Sequence, residues 1–321
     1  MIHWEKRGRI FIPDGRTPWM RTHAALPLAD RLDDGTLRIY FAGRDAANRS
    51  RIGWLDTDPD DPARVIEVSR EPLLDLGDRG TFDDNGMMPS CTVNTGGRKY
   101  LYYIGWNPQV TVSYRLAIGL AVSDDGGRTY RRYSKGPLLD RDRDEPFFNT
   151  APCVLHEQDH WQMWYVSCTG WDEVQGHPEP IYHIKHAESE DGLSWRRTGN
   201  VCVDYDGFTR AIGRPWVIHT GNRYAMWFSY RGLTDYRTDP RTSYRIGYAE
   251  SCDGLHWERQ PDPAGLERSA EGWDSVMLAY TNVVRLPGRL YCFYNGNGFG
   301  MSGLGYAVGW DDDSEVGRVV A

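Results

Sequence analysis

Apolar and polar positions along this chain fall into short alternating or wholly apolar runs, and the runs recur at a nearly constant distance. A proline opens a short apolar stretch in Ala25-Leu-Pro27, Met87-Met-Pro89, Thr150-Ala-Pro152 and Gly213-Arg-Pro215, at spacings of 62, 63 and 63 residues. A fifth copy, Ala279-Tyr-Thr281-Asn-Val-Val, follows 66 residues later with threonine in the proline's place. An aromatic run lies about 12 residues after each: Leu37-Arg-Ile-Tyr-Phe, Tyr100-Leu-Tyr-Tyr-Ile, Trp161-Gln-Met-Trp-Tyr, Tyr224-Ala-Met-Trp-Phe and Leu290-Tyr-Cys-Phe-Tyr. β-Branched and aromatic runs bounded by glycine, asparagine and aspartate predict strands. Asp33-Asp-Gly35, Thr95-Gly-Gly97, Thr220-Gly-Asn222 and Pro287-Gly288 supply turns between them. A third run follows in each copy, as in Arg51-Ile-Gly-Trp, Ala117-Ile-Gly-Leu-Ala-Val and Arg245-Ile-Gly-Tyr-Ala-Glu.

Three copies then carry serine, aspartate, glycine and an aromatic in order, over Ser123 to Tyr130, Ser189 to Trp195 and Ser251 to Trp257. The aspartate accepts backbone N–H groups, the glycine supplies a positive φ, and the aromatic opens a fourth strand. Too few oxygen ligands are in line for a calcium loop. Five units of four strands predict an all-β fold, a five-bladed β-propeller forming one domain over residues 1–321. The blades fall at roughly 14–78, 79–140, 141–204, 205–265 and 266–310. The fifth unit shows only three strands before Asp311-Asp-Asp313. The N-terminal strand, residues 1–13, with Trp4-Glu-Lys and Arg9-Ile-Phe-Ile-Pro13, is therefore expected to close the ring as the missing outer strand.

Composition narrows the function classes. With 45 acidic against 37 basic residues the net charge is −8, and no basic run is present, which argues against nucleic-acid and anionic-membrane partners. No apolar run approaches the ~20 residues a bilayer-spanning helix needs, and no apolar segment follows Met1-Ile-His-Trp as in a secretory signal. A cytoplasmic protein is the expectation, with its six cysteines as buried free thiols, since none forms a CxxC pair.

In a propeller the first strand of each blade lines the central channel, so the starts of first and third strands and the ends of second strands share a face. Asp83 and Asp84 precede such a strand in Gly80-Thr-Phe-Asp-Asp-Asn-Gly86. Strand alternation admits one of them to the channel as general acid or base, while the other caps the turn. Asp274, in Gly272-Trp-Asp-Ser275, holds the corresponding place in the fifth unit as a second carboxylate, or else heads an Asx turn. These three are the candidate catalytic residues. Arg210 and Arg214 can clamp a phosphate or carboxylate, or pair with Asp83, Asp84 or Asp274. His23 and His183 can transfer protons, ligate a metal, or serve as hydrogen-bonded structural histidines; no histidine pair has helical i,i+4 spacing, and neither metal nor cofactor is expected. The other rim candidates for substrate binding are Arg21, Arg44, Trp106, Asn149, Trp171, Glu173, Arg231 and Asn295. Aromatic faces suit the C–H surfaces of sugars, and amide, guanidinium and carboxylate groups suit their hydroxyls.

The stretches Gly80-Thr-Phe-Asp-Asp-Asn-Gly-Met-Met-Pro-Ser, Tyr102-Tyr-Ile-Gly-Trp-Asn, Gly213-Arg-Pro-Trp-Val, Tyr244-Arg-Ile-Gly-Tyr-Ala-Glu-Ser, Gly272-Trp-Asp-Ser and Phe293-Tyr-Asn-Gly-Asn-Gly resemble the β-fructosidase/furanosidase superfamily of five-bladed propellers, which includes glycoside hydrolase families 32, 43 and 130. The chain looks closer still to glycosidase-like propellers of bacterial polysaccharide and secondary-metabolite clusters. The resemblance implies carboxylates close before the blade-opening prolines; here those positions hold Leu26, Met88, Ala151, Arg214 and Gly213. What it implies for function is a glycoside-hydrolase-like enzyme acting on a sugar or glycosylated small molecule through channel-mouth carboxylates. The alternative is a repurposed propeller that binds a carbohydrate or anionic metabolite, or performs non-hydrolytic biosynthetic chemistry.

Overall fold

The computed structural model describes residues 2–157, 159–260, 265–286 and 289–311. The expected turn at Pro287-Gly288 and the acidic residues Asp312-Asp313 lie outside them. The strands form antiparallel groups of four. The first is β2 (Thr22–Arg31), β3 (Leu37–Arg44), β4 (Ser50–Thr57) and β5 (Val65–Val68), in that spatial order. The second is β6 (Met87–Thr95), β7 (Arg98–Pro108), β8 (Tyr114–Ser123) and β9 (Arg131–Arg132). The third comprises β10 (Asn149–Glu157), β11 (His160–Val174), β12 (His177–Ser189) and β13 (Arg196–Val203). The fourth comprises β14 (Ala211–Thr220), β15 (Arg223–Arg231), β16 (Arg245–Ser251) and β17 (Glu258–Arg259), and one parallel bridge, Tyr182 to Ala211, joins it to the third. The last group orders β18 (Ala279–Leu286), β19 (Arg289–Asn295), β20 (Leu304–Asp311) and β1 (Ile2–Phe11), with β1 antiparallel to β20 from Ile2–Asp311 to Phe11–Leu304. A helical turn, α1 (Asn297–Gly300), sits between β19 and β20. No sequence signal marked it, because Gly298 and Phe299 take positive φ (63° and 60°) rather than a regular helix.

The leading strands β2, β6, β10, β14 and β18 touch one another in a cycle, and β18 returns to β2. Apolar clusters fill the spaces between neighbouring groups. Leu28, Tyr40 and Ile52 meet Met87, Leu101 and Tyr103, and the series ends where Tyr291, Phe293 and Tyr306 meet Ala24, Leu37 and Ile39. The Ser-Asp-Gly-aromatic turns fasten one group to the next. In each, the glycine N–H donates to the serine Oγ (Gly127 2.8 Å, Gly192 2.9 Å, Gly254 2.9 Å), and the aspartate accepts following backbone N–H groups. The turn's outward carbonyl then accepts from an aromatic of the preceding group: Tyr40 Oη to Gly127 (3.1 Å), Tyr102 Oη to Gly192 (2.8 Å) and Trp164 Nε1 to Gly254 (2.7 Å). Five of the six cysteines are buried, all six are free, and Cys252 is exposed.

Candidate ligand cavity

One irregularity repeated in every leading strand shapes the site. At each, one extra residue interrupts the ladder: Leu26-Pro27 opposes Phe41, Ala151-Pro152 opposes Tyr165, Arg214-Pro215 opposes Phe228 and Tyr280-Thr281 opposes Tyr294, with a shorter slip at Ser90 in the second group. Such bulges re-aim a side chain, and a proline inside one leaves no orphaned N–H. At four of the five the first bulged residue takes positive φ: Leu26 50°, Ala151 47°, Arg214 54° and Tyr280 62°. These are strained values for side chains with a Cβ, at about 1–2 kcal/mol each. These four residues, together with Met88 shortly before the slip at Ser90, line one cavity of about 390 Å³.

Its walls come from all five groups. Arg44, Asn48 and Ser50 lie on one side, Trp106, Tyr114 and Phe148 follow, and Tyr182, Arg231, Tyr236, Arg237 and Tyr244 stand across. The long β11–β12 hairpin supplies Tyr182 and backs the 232–244 segment, where Glu179 accepts from Tyr236 Oη (2.7 Å) and pairs with Arg237. Among the described residues no aspartate or glutamate lines the cavity. Arg231 is 1% exposed; its Nε donates to Tyr244 Oη (3.3 Å), Nη1 to Gly232 O (2.9 Å) and Nη2 to Pro180 O (3.2 Å), and the guanidinium lies 3.8 Å over the Tyr236 ring. Arg214, equally buried, reaches from the fourth group to Ser90 O (2.6 Å) of the second and Pro27 O (3.4 Å) of the first. Burial lowers Arg214 to about 10 and draws Arg44 below its ordinary value. Burial also pushes the phenols of Tyr114, Tyr182 and Tyr280 upward, so they stay neutral.

Four of the expected binding residues meet here: Arg44, Trp106, Arg214 and Arg231. Asp83, Asp84 and Asp274 are not among the described residues that line the cavity, and each is engaged by its own set of partners. Asp83 is 1% exposed, with Oδ2 accepting from Arg132 Nε (2.8 Å) and Tyr103 Oη (3.0 Å). Asp84 accepts from Asn107 Nδ2 (2.6 Å) and the Gly80 N–H (2.7 Å). Asp274 holds Lys6 Nζ (2.6 Å) and accepts from Tyr294 Oη (3.2 Å). Glu145 repeats this arrangement with Tyr165 Oη (2.8 Å) and Arg197 Nε (3.6 Å). In three groups, then, an acid before the leading strand meets a tyrosine 20 residues on and a cation from the outermost strand. That spacing was present in the sequence and was the signal for a buried tie.

The remaining candidates have other occupations. Asn149 bridges Glu145 and Arg197, and Asn295 accepts the Leu26 N–H (3.1 Å) beside the bulge. Arg210 pairs with Asp172 (3.2 Å), and His183 Nδ1 meets Asp204 (3.0 Å). Trp171 packs on Tyr114 and Phe148 behind the wall, while Arg21 and Glu173 are exposed. Among the described residues no three His, Cys, Asp or Glu side chains converge as a metal-binding set. Sequence reasoning missed Arg237, Tyr236 and Phe299, which sit in segments without a counterpart in the other repeats.

His23 is buried beside Arg44, and burial followed by that charge lowers it to about 4; burial likewise lowers His186 to about 4. The unfolded chain takes up these protons near 6.5 and the folded protein only near 4, so stability falls as pH drops through that window. Each histidine removes up to about 3 kcal/mol. Unfolding free energies from pH 7 to 4 are expected to fall less steeply in His186→Gln than in the parent protein; parallel curves would contradict this.

No protein-family model matches the chain. The uncharacterized protein Rv1502 of Mycobacterium tuberculosis (strain H37Rv) is 38% identical over 306 residues, covering 95% of this chain and 98% of the relative. MT1551, from another strain of that species, matches to the same extent. A glycosyl hydrolase from Bacteroides ovatus superposes with a TM-score of 0.73 at 16% identity, over 98% of this chain and 94% of that one. A thermostable family-43 glycoside hydrolase gives 0.66 at 18% identity, over 92% and 93%. A structure from the family-130 mannoside phosphorylases, a family described as containing glycoside hydrolases that target β-1,2-mannosidic linkages, gives 0.70 at 15% identity, over 97% and 94%. At such identities these structures speak to fold, whereas Rv1502 speaks to kinship. The chain belongs to one family with Rv1502, and its fold is that of the glycosidase-like β-propellers represented by the family-43 and family-130 structures.

Proposed function

We propose that the chain is a single five-bladed propeller, with β1 as the outer strand of the last blade, whose central cavity receives a sugar or glycosylated small molecule without hydrolysing it through a carboxylate pair. Hydrolysis of a glycosidic bond ordinarily uses two carboxyl groups flanking it, about 5–5.5 Å apart for retention and about 6.5–9.5 Å for inversion. The observation that carries the reading is the cavity's lining, which among the described residues includes Trp106, Tyr114, Tyr182 and Tyr244 and no carboxylate. At the positions where the superfamily resemblance implies acids, the residues are Leu26, Met88, Ala151, Arg214 and Gly213. The aromatic walls remain suited to the C–H faces of a sugar. The cycle of leading strands and the turn-to-aromatic bonds between groups support the ring. The site then serves either recognition or a non-hydrolytic step in polysaccharide or secondary-metabolite chemistry.

A glycan array followed by titration of its best ligand tests this. Binding without release of reducing sugar is expected, and Trp106→Ala or Tyr114→Ala is expected to weaken it about tenfold. Turnover of a glycoside that Asp83→Asn or Asp274→Asn abolishes would return the site to the carboxylates and end this reading.

A further inference from the structure

We propose that the ligand of the cavity carries an anionic group, a carboxylate or a phosphate, and that Arg44, Arg214, Arg231 and Arg237 are its counter-charges. The inference rests on the cavity being a sugar-ligand site and adds the charge of what enters it.

The chain has eight more acidic than basic residues, 45 against 37. Most of its other buried and half-buried arginines are met by carboxylates, among them Arg38 by Asp56, Arg51 by Asp45 and Asp75, and Arg132 by Asp83, while Arg245 and Arg268 are held by backbone carbonyls. At the cavity this pattern stops. Every partner of Arg44, Arg214 and Arg231 among the described residues is a neutral oxygen or a ring: Asn48 for Arg44, two backbone carbonyls and the Ser90 hydroxyl for Arg214, and two carbonyls and a phenol for Arg231. Neutral acceptors orient a guanidinium without cancelling its charge. Taking an ion out of water costs several kcal/mol unless an opposite charge answers it. Three such groups facing one space, in a chain with acids to spare, leave a positive potential that an incoming anion completes.

Two buried donors point the same way. Arg214 Nε and Thr150 Oγ1 belong to lining residues and have no hydrogen-bond partner. Arg237 is different in kind, being half-exposed and held by Glu179 at the cavity's edge. It stacks 4.3 Å over the Tyr236 ring whose other neighbour is Arg231, so the two guanidinium groups share one aromatic support. Planar guanidinium forks match carboxylate and phosphate oxygens bidentately. The apolar floor formed by Leu26, Met88 and Ala151 does not suit a fully hydrated inorganic ion, which favours an anion carried on an organic body.

The test is calorimetric titration at matched, low ionic strength with inorganic phosphate, glucose 6-phosphate, glucuronate and glucose. At least one of the three anions is expected to saturate a single site at least tenfold more tightly than glucose. Preference between glucose 6-phosphate and glucuronate tells phosphate from carboxylate. Arg44→Gln and Arg237→Gln, both at partly exposed positions, are expected to fold and to remove at least fivefold of that advantage; Arg231→Lys is the buried counterpart. Anions that bind no better than glucose, or with unchanged affinity in the Arg44→Gln/Arg237→Gln double variant, overturn the inference. Glucose binding that Trp106→Ala weakens would then leave the sugar-site reading standing, so the two failures are distinguishable.

Discussion

Asp83→Ala is expected to lower folding stability by about 3 kcal/mol while leaving ligand affinity at the cavity unchanged. The carboxylate is buried and makes three contacts, with Arg132 Nε, Tyr103 Oη and Thr81 Oγ1. Truncation strands a guanidinium and a phenol against the sheet. Breaking a buried ion pair by removing one partner costs about 3–5 kcal/mol. The lower end applies because the Arg132 side chain keeps 22% of its exposure and recovers some hydration. Asp84→Ala removes only turn contacts to Asn107 and Gly80 at a half-buried position, and its expected cost is about 1 kcal/mol. Urea unfolding of both variants, alongside titration of the cavity ligand, separates a structural tie from a catalytic carboxylate. A stable Asp83→Ala protein that has lost its function would place the acid in the chemistry.

The second large effect is at Trp216. It packs against four of the clusters that fill the spaces between neighbouring groups and donates its indole N–H to Val283 O at 2.6 Å. Lying on β14 two residues after Arg214, and 6.0 Å from that guanidinium, it fills the middle of the cycle of leading strands and supports the cavity floor. Trp216→Ala is expected to cost about 3–5 kcal/mol, the range for emptying a large aromatic site. In a chain of this size that lowers the melting temperature by roughly 4–8 °C. Trp216→Phe keeps most of the packing and loses the hydrogen bond, so it should fall about 1–2 kcal/mol below the parent. A Trp216→Ala protein melting within 2 °C of the parent would show that this residue does not hold the groups together.

The two variants bear on one question, which is what the polar residues at the strand starts are for. Asp83, Glu145 and Asp274 make the same tie in three groups, to Arg132, Arg197 and Lys6 of the outermost strands. Lys6 binds the N-terminal strand to the lead-in of β18 in this way, across 268 residues of sequence. An arrangement repeated by the fold is explained by the fold. The cavity's cationic side is repeated only in part: Arg44 and Arg231 both end the second strand of their groups, whereas the position of Arg214 holds Leu26, Met88, Ala151 and Tyr280 in the others.

By itself the sequence determined what short-range physics decides. The five-fold recurrence of an apolar run, proline-led in four copies, and an aromatic run specified the strands, because alternation and β-branched or aromatic content act within a few residues. The Ser-Asp-Gly-aromatic turns were legible for the same reason, since their hydrogen bonds close within six residues. Arg44, Trp106, Arg214 and Arg231 were readable as rim residues from their places at strand starts and ends. Tertiary structure decided which charges face each other. Asp83 and Arg132 lie 49 residues apart and Asp274 and Lys6 lie 268 apart, so no local pattern says that they meet. It also decided which residue of each leading strand enters the cavity, because the bulge adds one residue at that point and exchanges the two faces of the strand. The acids Asp83, Glu145 and Asp274 sit in the segments before those strands and are tied to the sheet, while Leu26, Ala151, Arg214 and Tyr280 at the bulges line the cavity.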